Sequence, residues 1–111
     1  MTENFKQTEF ACKCGCGYQS ISPHLVQRLQ VLRDIVRQPI LVNSGCRCEG
    51  HNADVGGSQN SLHVTGLAAD ITIADKGLLG DMARLLSDWS GGMKYYAGRF
   101  IHLDIGARRR W

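Results

Sequence analysis

No stretch of this chain of 111 residues approaches the ~20 consecutive apolar residues that a membrane-spanning helix needs. A helical membrane span is therefore excluded. The opening residues, Met1-Thr2-Glu3-Asn4-Phe5-Lys6-Gln7-Thr8-Glu9-Phe10, contain no apolar segment. No secretory signal is visible, and the chain is expected to be made in the cytoplasm. A basic helix with interleaved aromatics is missing too, as is any recognised nucleic-acid motif, so nucleic acid is not an expected partner. There is no internal repeat and no low-complexity tract. What remains suits one domain spanning residues 1–111, expected to be a monomer.

The hydrophobic content of 43% and charged content of 21% fit a globular protein with a real core. Residues 1–20 are rich in cysteine and glycine and read as an irregular arm with one short strand. Ser22-Pro23 then opens a helix, serine as N-cap and proline in the first turn. Leu25, Leu29, Leu32 and Val36 form its apolar stripe, widened by Val26 and Ile35, and Gln38-Pro39 ends it. Ile40-Leu41-Val42 reads as a buried strand, and Glu49 to Val55 as a turn or two of helix within a loop. Leu67 to Ile73 reads as a strand. Asp75 caps a helix to about Trp89, with Leu78, Met82, Leu85, Leu86 and Trp89 inward. Met93–Tyr96 and Arg99–Ile105 read as two strands joined near Ala97-Gly98. The implied class is α+β, with helices packed on one face of a small antiparallel sheet.

Five cysteines occur as Cys12-Lys13-Cys14-Gly15-Cys16 and Cys46-Arg47-Cys48. An odd number cannot pair completely within one chain. Three readings stay open: free thiols, one or two disulfides between the trio and Cys46/Cys48 formed after export, or a second, structural metal site. The alternating spacing is less specific for zinc than C-x₂₋₄-C.

Three other residues point to chemistry. His63 and Asp70 lie in Ser61-Leu62-His63-Val64-Thr65-Gly66-Leu67-Ala68-Ala69-Asp70, and His102 follows in Phe100-Ile101-His102-Leu103-Asp104. Two imidazoles and one carboxylate form the ligand set of a catalytic zinc that keeps its fourth position for water. On a strand, residues two apart share a face. His102 and Asp104 should therefore face a cleft together, while Ile101, Leu103 and Ile105 face the core.

The string Ser61-x-His63-x-x-Gly66-x-Ala68-x-Asp70-Ile71, preceded by Ser44-Gly45-Cys46-Arg47 and followed by His102-x-Asp104, resembles the M15 zinc D-Ala-D-Ala peptidases. These include D,D-carboxypeptidases, peptidoglycan endopeptidases and some phage endolysins. The similarity runs from about Ser44 to Trp111 and is weaker over the N-terminal helix. It implies a hedgehog/D,D-peptidase type of α+β fold and one catalytic Zn²⁺ held by His63, Asp70 and His102. It also implies a peptidoglycan peptide as substrate, cut at a bond adjoining a D-residue. Arg47 and Ser61 match positions that meet the substrate, although Cys46 stands where the family has an aromatic. Several relatives carry an acid three residues before the last ligand, or a histidine two before it; this chain has Arg99 and Phe100. Asp104 is then the candidate general base, with a structural carboxylate as its other reading and His51 as a weaker candidate base. The alternative function is a zinc-stabilised wall-binding module without catalysis. The net charge of +3 owes part to Arg108-Arg109-Arg110. That run is either a solvated tail or an attraction to an anionic surface such as cell wall. Reaching the wall would need release from the cell, as in a phage or prophage setting.

Overall fold

A computed structural model describes residues 1–110; Trp111, the last residue of the expected domain, lies outside them. Helix α1 spans Pro23–Val36, with Ser22 accepting a hydrogen bond from the Leu25 amide and Pro23 in the first turn. Leu25, Val26, Leu29 and Leu32 are buried, whereas Ile35, expected to widen the stripe, is exposed. Strand β1 (Leu41–Ser44) is followed by the short helix α2 (Glu49–Asp54), strand β2 (Ala68–Thr72) and helix α3 (Lys76–Leu85). Asp75 caps α3 by accepting from the Leu78 amide. The helix stops four residues earlier than expected, at Leu85, which is exposed, and a 3₁₀ turn (Leu86–Asp88) carries Leu86 and Trp89 back into the core. Strands β3 (Gly92–Tyr96), β4 (Phe100–Asp104) and β5 (Arg109–Arg110) complete the chain.

The five strands form one sheet in the order β1-β2-β4-β3-β5. Its first three pairings are antiparallel, as expected; β5 adds a short parallel pairing with β3. Arg109 and Arg110 are therefore sheet residues, although both remain exposed to solvent. One apolar cluster joins α1, α3 and the inward faces of β2 and β4 through Leu25, Leu29, Leu79, Met82, Ile71, Ile101 and Leu103. All five residues of β2 are buried.

The N-terminal arm departs most from expectation. It holds no strand among the described residues; a 3₁₀ turn (Gln7–Phe10) puts Phe10, and Phe5 before it, into the core. Phe10 lies against Gly45, where an added Cβ would come within 2.5 Å of the Phe10 backbone. The Cys46 amide donates to the Phe10 carbonyl at 2.9 Å, and the Tyr18 hydroxyl donates to the Val64 carbonyl at 2.6 Å. The arm thus clasps the loops at the end of β1 and before β2.

Candidate active site

Antiparallel register places Asp70 on β2 directly opposite His102 on β4. Cross-strand partners hold their Cβ atoms ~4.5–5.5 Å apart, so the two side chains meet without any loop to adjust. The Asp70 Oδ1 lies 2.9 Å from the His102 Nδ1. His63 arrives from the turn before β2. Gly66 closes that turn at φ +75°, a conformation glycine adopts without strain, and a Cβ there would collide with the Ser20 carbonyl at 2.4 Å. The His63 Nε2 reaches 3.3 Å from the same Asp70 oxygen, and the two imidazoles meet edge to face at 5.2 Å.

The outer contacts decide which ring atoms face inward. His63 Nδ1 lies 2.7 Å from the Gly45 carbonyl oxygen, which can only accept. Nδ1 therefore carries a proton, which leaves Nε2 as the ring atom that faces Asp70. His102 Nε2 lies 2.9 Å from Asp104 Oδ2, which likewise leaves Nδ1 facing Asp70. Three donor atoms, one carboxylate oxygen and two ring nitrogens, converge within 4.8 Å of one another. A tetrahedral zinc with bonds of ~2.0–2.1 Å separates its ligand atoms by about 3.3 Å. The observed 2.9 and 3.3 Å fit that set, and so does its chemistry.

Electrostatics keeps the carboxylate of the group ionised. Burial alone would raise the Asp70 carboxyl, but hydrogen bonds from His102 and His63 hold it down at about 2. Burial also opposes charge on His102, yet its contacts with Asp70 and Asp104 raise its pKa above the ordinary value.

Asp104 is fully buried. One oxygen accepts from the Gly92 amide (2.8 Å) and the Gly106 amide (3.0 Å); the other meets His102 and the Arg109 guanidinium (3.2 Å). Burial works against its charge, but these hydrogen bonds, His102 first, keep its pKa below the usual carboxylate range. Space for it depends on Gly92, where a Cβ would stand 2.3 Å from Asp104 Oδ2.

The three donors open onto a cleft of about 590 Å³ lined also by Arg47, Ser58, Ser61, Tyr96 and Arg109. Asp70 is the only carboxylate in that lining among the described residues; neither Asp104 nor His51 belongs to it. Arg47 is held by Ser44 Oγ (3.1 Å), Asn52 Oδ1 (3.3 Å) and Asp70 Oδ2 (3.5 Å). Ser61 lines the cleft and accepts from the His63 amide at 3.2 Å. His51 sits in α2, where its amide donates to Cys48 Sγ.

Sequence reasoning missed Asn52, Tyr96 and Arg109. Asn52 is buried and also donates to the Ser58 carbonyl at 2.8 Å, which ties the cleft's rim to Arg47. A polar residue on a short, otherwise polar helix gives no periodic signal of burial. Arg109 reaches Asp104 only because β5 pairs with β3, a contact no local pattern announces.

The sequence model of the peptidase M15 family matches residues 3–104. The match takes in the N-terminal arm as well as the motif strings from Ser44 onward. No curated protein matches the chain.

Proposed function

Because the chain belongs to the peptidase M15 family and so is a metallopeptidase, we propose that it hydrolyses peptidoglycan stem peptides at a bond adjoining a D-amino acid. It acts as a D,D-carboxypeptidase or endopeptidase in cell-wall lysis or remodelling, on a wall reached after release from the producing cell. The observation that carries the metal part is the convergence of His63 Nε2, Asp70 Oδ1 and His102 Nδ1 at the floor of an open cleft. The substrate class rests on the family motif around these residues.

A Zn²⁺ held by His63, Asp70 and His102 would supply a Lewis acid for the scissile carbonyl and a water of pKa ~7. The chain's own residues do the rest. Arg47, fixed by Ser44 and Asn52, presents a planar fork beside the donors. Guanidinium recognises a carboxylate or peptide carbonyl through paired N–H groups. Only three of its five donors are engaged in the contacts above, which leaves N–H groups for substrate. Ser61 holds the turn that carries His63 and offers its hydroxyl to the cleft.

Asp104 serves this reading as the carboxylate that orients His102. It accepts the Nε2 proton and so fixes the tautomer that aims Nδ1 inward. Its burial, and its absence from the cleft lining, favour that role over direct proton transfer with substrate water. A water on such an ion would be partly ionised near neutral pH, which would lessen the demand on a carboxylate base.

The test is hydrolysis of synthetic stem peptides ending in D-Ala-D-Ala, beside counterparts ending in L-Ala-L-Ala, with released products identified by mass. Release from the D-peptide that is suppressed by a chelator and restored by Zn²⁺ is expected. Equal hydrolysis of both peptides would remove the D-specificity. Wall binding without any release would favour the non-catalytic zinc-stabilised module.

A further inference from the structure

Four of the five cysteines come together away from the cleft. Cys12, Cys14, Cys16 and Cys48 place their sulfurs within 4.8 Å of one another. Cys12 to Cys14 is 3.4 Å, Cys12 to Cys48 is 3.8 Å, and Cys14 to Cys48 is 3.7 Å. These three form a nearly equilateral triangle. A disulfide would instead single out one pair, at ~2.05 Å. A tetrahedral zinc with Zn–S bonds of ~2.3 Å separates its sulfurs by about 3.8 Å.

Local backbone structure supports the same arrangement. The Cys48 amide donates to Cys12 Sγ (3.4 Å), the His51 amide to Cys48 Sγ (3.4 Å), and the Tyr18 amide to Cys16 Sγ (3.5 Å). Such N–H groups stabilise sulfur that carries negative charge. The turn through Cys12–Cys16 is tight: the Gly15 amide meets the Cys12 carbonyl at 3.2 Å, and Gly15 and Gly17 take φ of +82° and +89°. These left-handed glycines let an alternating C-x-C-x-C run fold its sulfurs to one side. Cys46 stands apart. It is buried, and its sulfur lies against the carbonyl oxygens of Phe10 (3.1 Å) and Tyr18 (3.3 Å), so it must carry its proton. The odd cysteine count thus resolves into four plus one.

We propose that Cys12, Cys14, Cys16 and Cys48 bind a second Zn²⁺ as a closed, four-thiolate structural site. Binding releases the four thiol protons to solvent, with no change in oxidation state. The site staples the N-terminal arm to the start of α2, across 36 positions between Cys12 and Cys48. Arg47 lies between Cys46 and Cys48, so the staple also steadies the cleft's guanidinium.

The test uses the full chain, purified under reducing conditions with Zn²⁺. Elemental analysis should give two zinc ions per chain, and Cys14→Ser/Cys16→Ser, at two exposed positions, should give one. His102→Ala should keep one zinc. Loaded with Co²⁺ instead, that variant should show the intense near-ultraviolet sulfur-to-metal charge-transfer band and the visible bands of tetrahedral thiolate coordination. This readout stands even if the cleft's metal reading fails. One zinc per wild-type chain, unchanged in the double cysteine variant, would overturn the proposal. So would an intact mass lacking two hydrogens per disulfide, or a Co²⁺ spectrum without the sulfur band.

Discussion

The His63–Asp70–His102 group and the four-cysteine group are built in opposite ways. In the first, two of three donors stand on neighbouring strands whose register faces them, and the third hangs on one turn. In the second, every sulfur comes from a turn or a helix cap, and glycines at positive φ make the approach possible. The first mixes nitrogen and oxygen donors and opens on a cleft; the second is all sulfur. Each inner ring atom of the first is aimed by an outer partner, Gly45 or Asp104. Sulfurs of the second take backbone N–H groups directly. A catalytic centre needs a rigid floor and a free position. A staple needs only reach and closure, which glycine-bearing turns supply.

The largest expected effects separate the two groups. His63→Ala, Asp70→Ala or His102→Ala should each abolish peptide hydrolysis and remove one zinc, leaving the other on the cysteines. Cys14→Ser/Cys16→Ser should do the converse, with one zinc lost and hydrolysis reduced but measurable. Zinc content paired with turnover on a D-Ala-D-Ala peptide checks both arms. If the cysteine variant were as inactive as His102→Ala while keeping its cleft zinc, the division between floor and staple would be wrong.

Asp104→Asn comes next and tests how the strand-borne floor is aimed. The asparagine oxygen would keep the Gly92 and Gly106 amides, which turns its NH₂ toward His102 Nε2. That ring atom must then accept, so the proton moves to Nδ1, the atom that faces Asp70. Zinc affinity should fall by ~10–100-fold, the usual cost of losing an outer partner of a metal-binding histidine. If Asp104 instead acted as the base, zinc would stay bound and the rate alone would drop, by ~10²–10⁴. Titration with a competing chelator beside kcat distinguishes the two outcomes.

How far sequence could see this differs between the regions for the same structural reason. The grouping of Asp70 with His102 came from the ligand set and the family motif, while strand alternation gave only the inward face of Ile101 and Leu103; the register that sets Asp70 opposite His102 is a long-range contact. Helix α1 was legible from Ser22-Pro23 and its stripe, although Ile35 turned outward at its edge. The burial of Asp104 was not legible. It depends on Gly91-Gly92 of the adjacent segment leaving room, and on Arg109 returning along β3, both contacts distant in sequence. Nor was the arm's role: Phe5 and Phe10 carry no periodicity, and they are core residues only because Gly45 lets the arm approach. Cysteine spacing alone kept three readings open, since it is silent on which sulfurs converge.

Arg47 sits between the two regions, so its substitution gauges how strongly they communicate. Arg47→Lys keeps the charge but cannot span Ser44, Asn52 and Asp70 together. Hydrogen bonds to charged groups contribute about 1.5–3 kcal/mol, so kcat/KM should fall by ~10–100-fold. Zinc content should be unchanged. A rise in KM with kcat preserved would mark a lost ground-state contact with substrate. Unchanged kinetics would reject the role.

Ser61→Ala should have the smallest effect, and it asks whether the loop-borne ligand depends on its own turn. Ser61 Oγ accepts from the His63 amide, but His63 has two further ties outside its own turn, to the segment after β1: Nδ1 with the Gly45 carbonyl, and its own carbonyl accepting from the Arg47 amide at 2.9 Å. Losing one partly exposed hydrogen bond costs about 1 kcal/mol of stability. With the other two ties in place, zinc should remain, and kcat/KM should fall by less than ~10-fold. Thermal unfolding of the zinc-loaded chain, read beside KM and kcat, checks this. A rise in KM larger than the stability loss accounts for would assign the hydroxyl to substrate. Loss of zinc would show that His63 is held chiefly by its turn, and the contrast between a strand-borne floor and a turn-borne staple would then apply only to Asp70 and His102.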